Sequence, residues 1–277
     1  MALAFAMGCT SLCGCSPGTD GRSPKAADPG VLRIHVIDVG KGDCILVQCG
    51  GQNLLIDTGY DSTADDVVKY LKSAGVGTID CLMITHYHKD HVGGAAQIVS
   101  SFDVDRVFLP DYEWDSEYCR NFAAALERKG LTGQKVLQDT DLDLGGSKLR
   151  ILASDIEFDA ADTNHNDCSL VSVLSFGRDS FLFAADIEKD GINAFLEENS
   201  TAFDVVKIPH HGNRDKKMDD FISAVSPRIA LITDSKDDTA TDDNLERLEK
   251  CGALVYRTSI CGTIVLESTG AGEYTVK

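Results

Sequence analysis

Apolar and polar positions alternate in short runs along most of the chain, and this pattern predicts strands and helices in turn. Residues 32–37 alternate between the two kinds, as is typical of a half-buried strand. Glycines 50 and 51 predict a hairpin turn into a strand at 53–56. Apolar residues at helical spacing within 65–74 predict a helix that stops at Gly75.

The same rhythm continues to the end of the chain. The further predicted elements are a helix at 92–99, a strand at 107–109, a helix at 115–129, strands at 148–152, between 169 and 176, at 181–184 and at 205–208, a helix near Phe221, a strand at 229–232, a helix near 245–248, and strands near Val255 and at 263–266. Hairpins mixed with crossovers are typical of two mixed sheets flanked by helices. No repeat or second linker interrupts the pattern, so we expect one domain at 30–277.

Residues 1–29 differ in composition from this domain. Residues 1–14 are apolar or small, and residues 16–29 are rich in Pro, Gly, Ser and Asp without periodicity. Leu12-Cys13-Gly14-Cys15 resembles a bacterial lipobox, whose cysteine is lipidated. We therefore expect a signal or lipoprotein-like leader and an extracytoplasmic, lipid-anchored protein; the alternative is a disordered leader on a cytoplasmic protein. No apolar run elsewhere is long enough to span a membrane, so only this anchor would contact one.

Charge and cysteine content narrow the function classes. The chain has 44 acidic and 26 basic residues, a net charge of −18, which disfavours long nucleic acid as a partner. The ten cysteines show no CxxC spacing, so a structural zinc ribbon is not expected. A disulfide between Cys251 and Cys261 stays open, and we expect a monomer.

The most concentrated chemistry lies in Thr85-His86-Tyr87-His88-Lys89-Asp90-His91, directly after the apolar run 81–84. In an extended chain His86 and His88 project to the same face. A turn after them lets Asp90 and His91 reach a second point nearby. Imidazoles and carboxylates so arranged suit two neighbouring divalent cations.

Polar residues also lie at the ends of four other predicted strands. Asp57 is expected to support the histidine segment rather than to bind a cation. The carboxylate of Asp186 could bridge two cations or cap the next helix. The pair His210-His211 is expected to complete a metal site, whereas residues 164–169 fit an Asx-rich turn equally well.

Taken in order, these blocks resemble the metallo-β-lactamase superfamily. The histidine segment is similar to the signature of that superfamily, and D-V-G-K-G-D at 38–43 resembles the D-V-G-Q-G-D opening of its ComEC-type competence-protein branch. Residues 183–186, 209–213 and 166–171 resemble the L-L-T-G-D, P-H-H-G-S and N-x-x-S-L-V segments of that branch. The resemblance covers about residues 31–265 and implies an αββα four-layer sandwich with metals at one edge, between the strand ends of the two sheets.

The resemblance also implies roles for individual residues. The implied metal ligands are His86 and His88 for metal 1, Asp90 and His91 for metal 2, Asp186 as a bridge, and His210, in preference to His211, to complete metal 2. The implied catalytic residues are Asp90, which orients the nucleophile, and His211 and Lys41, which stabilise negative charge. Supporting or substrate-contacting roles fall to Asp38, Asp57, Asn166, Ser169 and Asn213. Three departures bear on this: an asparagine replaces the third metal-1 histidine of many members, with neighbouring His165 as a weaker substitute, while Lys41 replaces glutamine and Asn213 replaces serine.

The resulting functional hypothesis is an exported dinuclear hydrolase that uses two divalent metal ions, Zn²⁺ or alternatively Mn²⁺. Its expected substrate is a phosphodiester: DNA, a nucleotide or a phosphorylcholine-type polymer. The net charge favours a small or neutral substrate. A lactone or ester hydrolase of the same fold and a non-catalytic metal-binding surface lipoprotein are the alternatives.

Overall fold

The computed structural model describes residues 30–159, 164–199 and 201–277. The lipobox-like segment lies outside the described residues, so the expected lipid anchor stays a prediction. Within the described ranges, no helix is both long and apolar enough to cross a bilayer.

The strands form two large mixed sheets and one short ribbon. In chain order they are β1 (Leu32–Val36), β2 (Ile45–Cys49), β3 (Gln52–Ile56), β4 (Thr78–Ile79), β5 (Cys81–Met83), β6 (Asp103–Val104), β7 (Val107–Leu109), β8 (Gly133–Lys135), β9 (Thr140–Leu144), β10 (Ser147–Leu152), β11 (Val171–Phe176), β12 (Asp179–Phe183), β13 (Val205–Lys207), β14 (Ile229–Ile232), β15 (Leu254–Arg257), β16 (Ile264–Ser268) and β17 (Tyr274–Val276). The first sheet has the order β17-β16-β1-β2-β3-β5-β7-β8 and the second β15-β14-β13-β12-β11-β10-β9. Each sheet joins an antiparallel half to a parallel half, which is β3-β5-β7-β8 in the first and β12-β13-β14-β15 in the second.

The described residues contain eight α-helices, six of which cover the outer faces of the two large sheets. They are α1 (Ala64–Ser73), α2 (Lys89–Val92), α3 (Ala95–Ser101), α4 (Glu117–Lys129), α5 (Lys189–Glu198), α6 (Met218–Val225), α7 (Asp242–Lys250) and α8 (Thr258–Cys261). Apolar residues of α1, α3 and α4 pack on the first sheet, and those of α5, α6 and α7 pack on the second.

The central core lies between the two sheets, because alternate residues of each strand face inward. Leu32, Ile34 and Val36 of β1 meet Phe181 and Phe183 of β12 there. This arrangement gives four layers in the order helix, sheet, sheet, helix. The predicted αββα sandwich is confirmed.

Five strands were not predicted: β4 and β6, which form the short ribbon, and three strands at the edges of the large sheets, β8, β9 and β17. The residues of the three edge strands are largely exposed or half-buried, so the apolar alternation that marks a central strand is weak. The predicted helix at 92–99 was wrong as one element, since Gly93 and Gly94 separate α2 from α3. A Cβ on Gly94 would lie 2.6 Å from the Thr58 carbonyl oxygen. Cys251 carries a free thiol, so its pairing with Cys261 does not form.

Candidate metal centre

The predicted site residues meet where the parallel strands of the two sheets end. Asp57 follows β3 and the histidine segment follows β5, while Asp186 follows β12 and the His210-His211 pair follows β13. Both strand pairs are parallel neighbours, so their carboxyl ends lie side by side. The fold therefore brings together residues up to about 150 positions apart in the sequence, as a long-range sheet can.

Backbone strain is concentrated at the same place. Among the described residues, five that are not glycine have positive φ, and four of these lie at the strand ends just named: Asp57 (56°), Ala185 (49°), His210 (47°) and His211 (55°). Left-handed backbone is unfavourable for residues with a side chain and persists only where the surroundings enforce it. Such strain is typical of a functional site.

Four donors converge on one point: Asp90, His91, Asp186 and His211, whose ligand atoms all lie within 4.8 Å of one another. Asp186 Oδ2 lies 3.2 Å from His91 Nε2 and 3.1 Å from His211 Nε2. The Nε2 atom of His211 lies 3.5 Å from Asp90 Oδ2. In a tetrahedral site with bonds of about 2.0–2.1 Å, neighbouring ligand atoms are about 3.3 Å apart. The spacing therefore fits one cation.

A second pair of donors lies beside this group. His86 Nε2 and His88 Nδ1 are 3.2 Å apart, as two ligands of one cation would be. The rings of His86 and His91 are 4.0 Å apart, so the two donor sets adjoin. The ring of His165 lies 5.2 Å from that of His88 and 3.9 Å from Trp114. In the described ranges, no set of three or more ligand atoms within 4.8 Å includes His86, His88 or His165.

Asp57 accepts hydrogen bonds from the histidine segment, as a residue that supports metal ligands would. Its Oδ2 atom accepts hydrogen bonds from Thr85 Oγ1 at 2.7 Å and His91 Nδ1 at 2.8 Å, and its Oδ1 atom accepts from the Thr85 amide at 2.8 Å. Burial raises the pKa of Asp57, although the neighbouring His91 opposes this effect. For His91, burial lowers the pKa, but the carboxylates of Asp186 and Asp57 outweigh it and raise the pKa well above its ordinary value.

The structure reverses the placement predicted for the two adjacent histidines. His211 is fully buried and points at Asp186, whereas His210 is half-buried and its Nδ1 atom lies 3.0 Å from Glu188 Oε1. Both histidines of the turn Pro209–Gly212 have left-handed backbone, and the second ring points inward rather than the first. The sequence reasoning placed the turn correctly but lacked its handedness. His211, not His210, lies in the group of converging donors.

The alternative interpretation, that Asp186 caps the next helix, was wrong. Helix α5 begins at Lys189, and the Asp167 carboxylate accepts hydrogen bonds from the amides of Glu188 at 2.9 Å and Gly191 at 2.8 Å. Asp167 therefore stabilises the start of α5, and the Asp186 carboxylate is left to face the histidines.

Sequence reasoning missed three residues that contact this group: Asp43, Lys207 and Thr233. The Lys207 ammonium is fully buried and lies 2.6 Å from Asp43 Oδ2 and 3.2 Å from Asp186 Oδ1. Burial works against ionisation of Asp43, but Lys207 holds its pKa well below the usual range. Likewise, burial lowers the pKa of Lys207, and the two carboxylates more than restore it. A lysine inside the apolar strand Val205–Lys207 was a signal that could have been used.

The remaining predicted residues lie around the centre. Lys41 donates to Asn213 Oδ1 at 2.8 Å and pairs with Asp238, while Asp38 accepts from the Gly40 amide at 3.1 Å and shapes the loop. Asn166 donates to Glu188 Oε1 at 2.6 Å. Ser169 is buried, and its hydroxyl has no hydrogen-bond partner among the described residues.

The chemistry of the donor set fits divalent cations. Four carboxylates gather at the centre, from Asp43, Asp57, Asp90 and Asp186, while Lys207 is the ammonium that contacts two of them. Burying excess negative charge is costly unless cations compensate it. In addition, the buried Nε2 atom of His211 has no hydrogen-bond partner among the described residues, although it faces the two carboxylates. A bound cation would satisfy both the charge and this nitrogen.

Comparisons with known proteins agree with this geometry. A family model described as the metallo-beta-lactamase superfamily matches residues 37–232, more than half of the chain. ComE operon protein 3 of Bacillus subtilis (strain 168) is 26% identical over 256 residues, which is 83% of this chain and 32% of that protein. Recombination protein 2 of Haemophilus influenzae is 25% identical over 240 residues, which is 84% of this chain and 28% of that protein.

Competence protein ComA of Neisseria gonorrhoeae is 24% identical over 249 residues, 87% of this chain and 33% of that protein. This chain thus spans about a third of the length of these relatives. Among solved structures, the metallo-beta-lactamase fold protein YhfI from Bacillus subtilis superposes with a TM-score of 0.60 at 15% identity, covering 86% of this chain and 100% of that chain. At that identity the likeness concerns the fold alone. Together with the ordered site residues, the family match shows that the chain belongs to the metallo-beta-lactamase superfamily.

Proposed function

We propose that this chain is a hydrolase that uses two divalent cations, zinc or manganese, to cleave a phosphodiester. The observation that carries the proposal is the pair of adjoining donor sets at the facing strand ends. His86 and His88 would hold one cation. Asp90, His91, Asp186 and His211 would hold the other. Oxygen and imidazole ligands suit both metals.

The residues around the donors can divide the chemistry among them. Bound cations would supply a water of lowered pKa and polarise a phosphoryl oxygen. Asp90, whose side chain is 21% exposed, can accept a hydrogen bond from a water molecule and orient it toward the substrate. His210 lies outside the donor group. Its Nδ1 atom contacts Glu188, and its side chain is 26% exposed, so its ring can contact substrate.

The opening loop adds a positive charge near the same place. The Asp43 amide donates to the Asp90 carbonyl oxygen at 3.1 Å, so this loop lies against the histidine segment. Lys41 precedes Asp43 by two residues. It donates to Asn213, which itself follows the His210-His211 turn, and it pairs with Asp238. We assign to Lys41 and Asn213 the stabilisation of negative charge on a bound phosphodiester.

A small phosphodiester or nucleotide is the substrate that we favour. The relatives carry the names competence protein and recombination protein, which supports a phosphodiester over a lactone. The net charge of −18 opposes a long polyanion. A phosphoryl oxygen is also a group that divalent cations held by carboxylate and imidazole ligands can polarise.

The test is hydrolysis by the metal-loaded protein of bis(p-nitrophenyl) phosphate, plasmid DNA and a lactone, each with zinc and with manganese. We expect turnover of the first substrate, loss of turnover in His88→Ala, and unchanged turnover in His35→Asn, a buried histidine on the far face of β1. Lactone hydrolysis alone would replace the proposed substrate class. Metal binding without turnover of any of the three would favour the non-catalytic alternative.

We also retain the proposal of export and lipid anchoring at Cys15. The protein should fractionate with membranes, and Cys15→Ser should release it. Recovery of the wild-type protein in the soluble cytoplasmic fraction with Met1 retained would refute the proposal.

A further inference from the structure

We propose that Asp43, Thr233 and Lys207 are positioning residues, which orient His211 and Asp186 toward a cation. This inference rests on the proposed metal centre. The three residues come from different parts of the fold. Asp43 lies in the loop between β1 and β2, Lys207 ends β13, and Thr233 follows β14. Each is buried, with a relative exposure of 1% or less.

Lys207 decides which oxygen of Asp186 faces the histidines. An ammonium has three N–H donors, and Lys207 has three acceptors: the Ala185 carbonyl oxygen at 2.8 Å, Asp186 Oδ1 at 3.2 Å and Asp43 Oδ2 at 2.6 Å. Since Lys207 is fully buried, these contacts account for all three donors. Oδ1 of Asp186 is thereby held back, and Oδ2 is the atom that faces His211.

Thr233 decides which nitrogen of His211 carries the hydrogen. A hydroxyl has a single hydrogen, and an ionised carboxylate can only accept. Thr233 Oγ1 lies 2.7 Å from Asp43 Oδ1 and 2.9 Å from His211 Nδ1. Its hydrogen must go to Asp43, so Thr233 accepts from the Nδ1–H group of His211. Nε2 is then the nitrogen that faces Asp186 and Asp90, and its lone pair is the one that a cation bound there would use.

The same logic recurs on the opposite side of the centre. Thr85 donates to Asp57 Oδ2 at 2.7 Å, and its oxygen lies 3.1 Å from His86 Nδ1. Thr85 must therefore accept from His86, which leaves the Nε2 atom of His86 facing His88. Each side thus uses a buried aspartate and a threonine hydroxyl to set the tautomer of a ligand histidine. This repetition in two unrelated segments supports a positioning role for Asp43.

The deciding experiment compares Thr233→Val, which keeps the shape of the side chain and removes the hydroxyl, with Thr233→Ser, which keeps the hydroxyl. Zinc dissociation constants are measured by competition with a chromophoric chelator, so the readout does not depend on turnover. We expect Thr233→Val to weaken one zinc equivalent by about 10–100-fold and Thr233→Ser to bind as the wild type does. Thr258→Val is the matched control, because this buried hydroxyl donates at 2.8 Å to the Asp234 carbonyl oxygen and not to Asp43.

Wild-type zinc affinity in Thr233→Val, or equal losses in Thr233→Val and Thr233→Ser, would overturn the proposal, since the hydroxyl would then be irrelevant. If Thr233→Val does not fold, Asp43→Asn replaces it, with the same expected loss of one zinc equivalent and the same criterion for rejection. The outcome separates from that of the proposed function. If the wild type binds zinc, Thr233→Val weakens that binding and no phosphodiester is cleaved, only the proposed function is contradicted. If the wild type binds no zinc, the proposed function and the positioning role are both contradicted.

Discussion

His210 and His211 are adjacent in the chain, yet their rings contact different carboxylates. The Nε2 atom of His211 lies 3.1 Å from Asp186 Oδ2, while the Nδ1 atom of His210 lies 3.0 Å from Glu188 Oε1. The ring centroids are 6.0 Å apart. One histidine therefore belongs to the donor group, and the other lies at its solvent side.

This relationship predicts opposite phenotypes for two neighbouring substitutions. His211→Ala should lose one metal equivalent, because it removes a ligand. His210→Ala should retain full metal content and lower kcat at least tenfold, about 1.4 kcal/mol of transition-state stabilisation. Metal stoichiometry by elemental analysis and kcat at matched metal concentration test both. Retained metal in His211→Ala together with lost metal in His210→Ala would restore the original assignment.

Metal removal should lower stability, because the buried carboxylates lose their compensating cations. Zinc at about 100 times its dissociation constant should raise the free energy of unfolding by about 2.7 kcal/mol relative to the metal-free protein. The measurement is urea unfolding at pH 7 with and without zinc. His86→Ala should show a smaller increase because one donor of the His86-His88 pair is gone. An unfolding midpoint that does not respond to zinc in the wild type would contradict the metal centre.

Replacing Lys207 should destabilise the metal-free protein strongly. Lys207→Met leaves Asp43 as a buried charge without its partner, a change that typically costs about 3–5 kcal/mol. Adding Asp43→Asn to this variant should recover part of the loss, since the unpaired charge is then absent. Lys69→Met is the control, because its ion pair with Asp66 is exposed. Chemical denaturation of the wild type, Lys207→Met, Asp43→Asn, the double variant and the Lys69→Met control gives the comparison, and an additive double mutant would contradict the coupling.

His35 should make stability depend on pH independently of any metal. Burial, together with the charge of Arg33, lowers the pKa of His35 from 6.5 to about 4. Between these values the unfolded chain binds the proton and the folded chain does not, so stability falls as the pH drops from about 6.5 to about 4, by up to roughly 3 kcal/mol. His35→Asn should remove this contribution. The difference between wild type and variant in metal-free urea unfolding at pH 7.5 and pH 4.5 tests it; an equal pH dependence in both would refute it.

The local sequence determined much of the fold and the identity of the site. Central strands were predictable because each is buried on at least one face and its apolar residues alternate within a few positions. The histidine segment was also predictable from local sequence, because its four donors lie within six residues and their spacing in the chain already places them close together. The edge strand β9 was not, because its residues Thr140–Leu144 bury little apolar surface and so leave a weak pattern.

Tertiary structure alone decided how the donors are held. Lys207 and Asp43 are 164 residues apart in the chain. They meet only because the end of β13 and the loop between β1 and β2 lie at the same edge of the two sheets. The inward turn of His211 likewise depends on distant contacts: the His210 amide donates to the Ala185 carbonyl oxygen at 3.1 Å, and a Cβ on Gly212 would lie 2.7 Å from Ala240. Periodicity reports which face of a strand is buried, whereas the direction of a strained turn is imposed by whatever packs against it.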